Sequence, residues 1–202
     1  MATINGPGAI TANFTVEVAN LTLILLNSTV RAGIVNLTVK IISPNNITGA
    51  RYAVDDVNSS VVIPYPIDGS WDSSIEFIRI SFNGSTYADG CHKIYIRTND
   101  TKGTSDWLLV RFYVRDLVKY YNLIALIFNP PSGYSAKDMA EAIGINVVNH
   151  IDRWNSTSQR YESYVPSAPK PKNFQIEKGF GYFVFLTSPK KFVEVETTDV
   201  CR

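Results

Sequence analysis

The side chains that most often perform chemistry are few in this chain of 202 residues, and they are far apart. Its two histidines, His92 and His150, lie in no nucleophile or metal-binding motif. Because His92 falls on a run with alternating apolar residues, we expect a packed and hydrogen-bonded histidine there. Glu162 and Glu177 are single acids on separate segments, whereas a glycosidase needs two acids at a fixed separation. The residues therefore predict no catalytic site, and we interpret the protein as non-enzymatic.

Ligand-binding motifs are also incomplete. Asp55 and Asp56 could contribute to a calcium site, but no Asp-x-Asp-x-Asp-Gly pattern accompanies them, so a solvated loop is the simpler interpretation. Gly179 and Gly181 precede neither a helical pattern nor a Gly-Lys-Ser/Thr sequence, and they are interpreted as backbone bends rather than as a phosphate loop. No metal and no cofactor is predicted.

Cys91 and Cys201 are the only cysteines. An even pair in a chain that carries signs of export predicts a disulfide, which would tie the C-terminus back to the first half of the chain. In the chain-entropy model a closed loop of about 110 residues contributes on the order of 4 to 5 kcal/mol. The alternative is two unpaired thiols, one of them buried between strands.

The signs of export are Asn-x-Ser/Thr acceptors, which occur nine times where chance predicts roughly two or three. Glycans at such sites would solubilise strands that could otherwise aggregate, so we expect N-linked glycans and a location at the cell surface. The acceptors are Asn13, Asn20, Asn27, Asn36, Asn46, Asn58, Asn83, Asn99 and Asn155.

Charge and hydropathy exclude two further classes of partner. The formal net charge is +1 and no basic block is present, so no nucleic-acid footprint is predicted. The longest apolar runs, such as residues 23–26 and 123–128, are far below the roughly 18 residues that a membrane span needs.

Alternating apolar residues dominate the first half of the chain. Predicted strands cover residues 9–18, 21–26, 35–41, 50–54, 60–65, 76–82, 89–100 and 106–114. With turns about every ten residues and no helical period, this pattern predicts an antiparallel β-sandwich over residues 9–115, preceded by a flexible segment at residues 1–8.

The second half, residues 116–202, predicts a small α+β domain with one helix. Ser135 is placed as N-cap, Asp138 follows in the first turn, Tyr134 and Met139 form a hydrophobic staple, and Gly144 ends the helix. A hairpin is predicted from residues 145–154 and 160–165, followed by strands at 182–186 and 191–195.

Phe14, Val16 and Val18 give the first predicted strand one apolar side. An apolar strand without a partner must be covered. It either folds back onto its own sheet or completes the sheet of a neighbouring molecule by strand addition.

The exposure of the aromatic residues is a second open question. Either they form a stacking platform for sugars or, as is usual for rings in small β modules, they belong to the core. Exposure of two or more coplanar rings would favour the platform. The residues concerned are Tyr113, Tyr120, Tyr121, Trp154, Tyr161, Tyr164, Phe180 and Tyr182.

Two groups of motifs resemble known families. Gly90, His92, the alternating residues to Asp100, and Trp107 resemble the last two strands of immunoglobulin-like repeats in bacterial and archaeal surface proteins. The run from Tyr121 to Leu126, the Asn129-Pro130 break and the run from Ile176 to Val184 resemble a small C-terminal module of exported archaeal proteins of the surface-layer type. The resemblance implies an immunoglobulin-like sandwich and a location outside the cell, and it implies no activity.

From these observations we expect a non-enzymatic extracellular structural protein, a subunit or segment of a surface layer, filament or adhesin. It would associate with itself or with other cell-surface proteins, and strand exchange through its N-terminal strand would contribute. The alternative expectation is a carbohydrate-binding domain or the targeting module of a secreted hydrolase.

Overall fold

The computed structural model describes residues 2–4, 10–12, 21–58, 61–127 and 129–196. Within them the chain is mostly β, with antiparallel sheets and one α-helix, which confirms the predicted class. A short 3-10 helix, Gly84–Thr86, follows β6. The elements are β1 (Ala2–Ile4), β2 (Ile10–Ala12), β3 (Thr22–Arg31), β4 (Ile34–Ile42), β5 (Ile47–Val54), β6 (Ile75–Asn83), β7 (Gly90–Asp100), β8 (Leu108–Leu117), β9 (Tyr120–Ala125), α1 (Ala136–Ile143), β10 (Val148–Asn155), β11 (Arg160–Tyr164), β12 (Gly181–Leu186) and β13 (Lys190–Glu196).

Two sheets pack around one apolar core in the first half of the chain. One sheet has the order β3-β4-β6 and the other β13-β8-β7-β5. Alternation along each strand sends every second side chain inward, so Val35, Leu37 and Val39 of one sheet join Ile94 and Phe112 of the other in a single buried cluster. The immunoglobulin-like assignment of this pair of sheets stays a prediction.

The structure differs from the predicted strands in several places. Among the described residues of the predicted strand 60–65, only Val62 makes a bridge, to Tyr52. Pro64 and Pro66 lack the N–H groups that a ladder needs, so this segment runs as a loop. β1, which pairs with β2, and β9 are strands that the pattern did not predict.

The second half forms a sheet of order β11-β10-β12-β9, with α1 against one face. The predicted caps of α1 are confirmed: the Ser135 backbone N–H donates to the Asp138 carboxylate at 2.8 Å, and the Ser135 side chain accepts from the Asp138 N–H. Gly144 ends the helix with a φ of 128°, a conformation that favours glycine. Met139, on the inner side of α1, is fully buried. No helix among the described residues is long and apolar enough to cross a membrane.

The last strand joins the two halves. The chain leaves the second sheet after β12. The next strand, β13, pairs with β8 of the sandwich, with Val193 opposite Val114. Phe192 packs into the core beneath α1, whereas Val193 packs into the sandwich core. The β3–β4 turn adds a second tie, because the Ala32 N–H donates to the Glu141 carbonyl of α1 at 2.8 Å. The structure thus places a strand from the predicted second domain in the sheet of the first.

Asp100 ties two turns of the sandwich together. Its carboxylate accepts from the Ser43 hydroxyl at 2.7 Å, from the Asn45 side chain at 2.9 Å, and from the backbone N–H groups of Lys102 and Gly103, each at 2.7 Å. These bonds, led by Ser43 and Asn45, lower the pKa of Asp100 to about 2. The ionised carboxylate therefore holds the β4–β5 turn against the β7–β8 turn.

We expect Asp100→Asn to lower the free energy of unfolding at pH 7. A carboxyl whose pKa is lower in the folded state stabilises the fold above its unfolded pKa, and this contribution is lost as the pH falls through the folded pKa. Urea unfolding of wild type at pH 7, 5 and 2.5 should show a loss of stability towards acid, and Asp100→Asn should show a smaller loss. The control is Asp106→Asn, at an exposed aspartate in the same connection. Equal acid sensitivity in wild type and Asp100→Asn would contradict the assignment.

Candidate binding face

The four-stranded sheet of the second half has one covered face and one open face. Side chains that point towards α1, such as Ile124, Ile151 and Val184, are fully buried. The opposite face exposes large apolar side chains, each between 37% and 65% exposed, and no described element covers it. We call this set the aromatic face: Tyr120, Tyr121, Leu123, Trp154, Tyr161 and Phe183.

Strand register sets the aromatic residues side by side. Leu123 of β9 lies opposite Phe183 of β12, and Trp154 of β10 lies opposite Tyr161 of β11. Cross-strand neighbours on one face are close enough for their side chains to interact. A Cβ at Gly181 would stand 3.3 Å from Leu123 Cδ1, so the glycine leaves room for the leucine side chain. The face is therefore one continuous surface.

The exposed rings meet edge to face. Trp154 and Tyr161 have centroids 5.1 Å apart and planes at 71°, and Tyr161 and Phe183 are 6.2 Å apart at 68°. Tyr121 meets the half-buried Phe185 at 81°. Among the described ring pairs on this face only His150 and Phe185 are stacked, and both are half-buried. None of the exposed rings of this face that are described as touching one another is therefore coplanar with its neighbour.

The eight aromatic residues singled out by sequence divide between core and surface. Tyr164 and Tyr182 are buried in the core beneath α1, as expected. Tyr113 lies on the sandwich, where the Arg115 guanidinium stands 5.7 Å from its ring. Phe180 is exposed directly before β12. The other four belong to the aromatic face, together with Leu123 and Phe183, which period-two alternation on β9 and β12 could have added.

His150 and Asp152 place a polar pair within the aromatic face. His150 Nε2 is 3.4 Å from Asp152 Oδ2, and its Nδ1 is 2.7 Å from the Asn149 side-chain oxygen. Asp152 pairs with Phe183 across the sheet. Neighbours of the same chain thus hold His150, whereas Asp152 Oδ1 is buried without a hydrogen-bond partner among the described residues.

His92 is packed and hydrogen-bonded, as expected. Its Nδ1 is 2.8 Å from Asp55 Oδ2, its Nε2 is 3.0 Å from the Ala88 carbonyl, and its ring stacks on Phe112 at 5.0 Å. The second oxygen of Asp55 accepts the Lys93 N–H at 2.9 Å. These bonds use the Asp55 carboxylate within the fold, and no group of three or more potential metal ligands occurs among the described residues.

A cavity of about 410 Å³ lies between β3, α1, β13 and the turn before the helix. Its acids also serve the fold: Asp138 caps α1, Glu141 pairs with Arg31 at 2.8 Å, and Glu194 accepts the Ile127 N–H at 3.3 Å. Burial, with the negative charges of Glu194 and Asp138, raises the pKa of Tyr134 above its usual range. The phenol therefore stays protonated at neutral pH.

The described glycan acceptors differ in accessibility. Asn36 is half-buried in β4, and Asn155 is half-buried with its Nδ2 donating to Glu162 at 2.9 Å. The Asn155 side-chain oxygen accepts the Thr157 and Ser158 N–H groups, each at 3.0 Å, so the whole amide builds the hairpin turn. The exposed acceptors are Asn27, Asn46, Asn58, Asn83 and Asn99.

Several predicted residues lie outside the described part of the chain. They are Asn13, Asn20, Cys201 and the predicted assembly residues Phe14, Val16 and Val18. Cys91 is the second residue of β7, and it is not a free thiol. Because Cys201 is not described, its pairing with Cys91 stays a prediction.

No protein-family model, curated protein or solved structure matches this chain. The resemblances to immunoglobulin-like repeats and to an archaeal surface module therefore stay predictions. Any function must be argued from the residues and their geometry.

If the chain is made in a host that attaches N-linked glycans, we expect occupancy to be lowest at Asn155 among the exposed and half-buried acceptors. A glycan on Nδ2 would remove a hydrogen bond to the Glu162 carboxylate and crowd the turn. Glycopeptide mass spectrometry measures each site, and Asn99, exposed on β7, is the matched comparison. Full occupancy at Asn155 would contradict this view of the turn.

Proposed function

We propose that this protein is a non-enzymatic, extracellular structural protein that forms part of a cell-surface assembly such as a surface layer, filament or adhesin. The aromatic face carries the proposal. A water-exposed apolar surface of this size has a cost in solubility, and on soluble proteins such surfaces are typical of contact sites. Its partners would be copies of itself or other cell-surface proteins.

The surrounding fold supports a role in holding position. β13 belongs to the sandwich sheet, while the preceding β12 belongs to the sheet that bears the aromatic face. The link between Leu186 and Lys190 is only three residues long. Short connections and shared cores oppose independent movement of the two sheets. A contact made at the aromatic face would thus be transmitted to the sandwich.

The distribution of glycan acceptors supports an extracellular location. The exposed acceptors, such as Asn27, Asn83 and Asn99, lie on the sandwich. On the sheet with the aromatic face the described acceptor is Asn155, whose amide is engaged in the turn. Glycans would shield the sandwich and leave the aromatic face open.

Strand exchange through the N-terminal strand remains part of the proposal. The sheet order leaves β3 as an edge whose outer side pairs with no described strand. Its ten residues are bulged between Leu25 and Asn27. An edge of this length can accept a further strand, and a strand with Phe14, Val16 and Val18 on one side suits such an edge.

A carbohydrate-binding or targeting module is the second candidate, and the exposed Trp154 and Tyr161 favour it. Sugar rings stack on aromatic faces, and tryptophan and tyrosine often present them. The 71° angle between these two rings leaves no common plane for a sugar chain, which is why the structural role ranks first.

The two candidates make different predictions for the full chain. We expect a membrane-impermeant amine reagent to label the protein on intact producing cells. We also expect that the purified chain does not bind to insoluble chitin or cellulose. Retention that Trp154→Ala abolishes would instead establish carbohydrate binding. Tyr65→Ala is the control, since Tyr65 is an exposed ring on the sandwich. A chain that is labelled only after cell lysis would contradict the surface location.

A further inference from the structure

We infer that the aromatic face binds the same face of a second copy of this chain, in a two-fold symmetric dimer. The inference deepens the proposed function by naming the partner of the aromatic face. It depends on described residues only, and it is independent of the N-terminal strand.

The area of the aromatic face matches what a dimer needs. Five of its members are rings, and each fully buried ring contributes 150 to 250 Å². With about half of each ring exposed, the rings alone offer on the order of 500 Å². Leu123, 65% exposed, enlarges the surface. A standard interface buries roughly 800 Å² on each partner, so the face approaches one half of such an interface.

The shape of the face suits pairing with itself. A two-fold interface places one patch against its own copy, so the patch must be self-complementary. The open side of an antiparallel sheet meets this condition, because two sheets pack face to face about 10 Å apart with interdigitating side chains. Trp154, Tyr161 and Phe183 meet edge to face, and aromatic side chains from a second copy could add contacts of the same kind.

Charge at the border does not oppose this arrangement. Arg160 is exposed next to Tyr161 on β11, and Asp152 lies on the face opposite Phe183. Both signs are present, so two copies can approach with opposite charges facing each other. A face for an anionic polymer would instead show one sign.

The polar groups of the face are few among the described residues. A sugar needs hydrogen-bond partners around the stacked ring. His150 and Asp152 lie 3.4 Å from each other, and Ser163 lies opposite Asp152 on β11. On the other side Phe183 and Phe185 lie opposite the pair on β12, so a second apolar face is the better match.

The test is sedimentation equilibrium of the full chain over about 1 to 300 μM, a range that detects micromolar affinity. We expect a monomer–dimer equilibrium for wild type and at least a 30-fold higher dissociation constant for Leu123→Asp, since a carboxylate would be desolvated between the two copies. The matched control is Ile63→Asp, because Ile63 is 64% exposed on the sandwich loop and lies off the face. It should dimerise like wild type. Tyr161→Ser is a second variant, and thermal unfolding of each variant checks that it is folded.

Three results would overturn the inference: a monomer throughout the concentration range, a dimer that folded Leu123→Asp and Tyr161→Ser leave intact, or a dimer that Ile63→Asp weakens equally. A monomer that is still labelled on intact cells would refute self-pairing and leave the surface role standing. A dimer found only inside cells would support the pairing and refute the surface role.

Discussion

The pairing of β13 with β8 is the constraint on which the arrangement of the whole molecule depends. Seven residue pairs run from Lys190 opposite Leu117 to Glu196 opposite Arg111. Through them Phe192 closes the core beneath α1, while its neighbour Val193 closes the sandwich core. One strand thereby contributes a buried side chain to each of the two hydrophobic cores. Separating the two halves would expose apolar surface on each side. The aromatic face consequently has a fixed direction relative to the glycan acceptors of the sandwich.

Several carboxylates among the described residues form hydrogen bonds that stabilise turns and neighbouring side chains. Asp100 secures two turns of the sandwich, Asp55 holds His92, and Glu162 accepts from Arg153 and Asn155 in the β10–β11 hairpin. Each carboxylate is satisfied by neighbours of the same chain, so it gains little from a ligand. The aromatic face is the apolar surface that the described elements leave uncovered, and it supports the proposal of association with another macromolecule.

Local signals in the sequence were sufficient for the elements and insufficient for their assembly. The alternation around Leu37 and the caps at Ser135 and Gly144 depend on nearby residues, and the structure confirms both. β13 pairs with β8, which lies about 80 residues earlier in the sequence. No local pattern of residues predicts a pairing over such a distance. Whether the aromatic residues lie in the core or on the surface stayed open in the sequence for the same reason. Period two shows that Tyr121 and Leu123 share a side of β9, but it cannot show that α1 covers the other side.

The central claim is that β13 unites the two halves into one rigid scaffold. Native-state hydrogen exchange of the full chain tests it most directly, because an amide that donates across a stable ladder exchanges only when that ladder opens. If β13 holds the two halves together, the β13 amides that donate to β8 should be protected as strongly as those between β7 and β8. Exchange of the β13 amides at loop-like rates, while β7 and β8 stay protected, would contradict it.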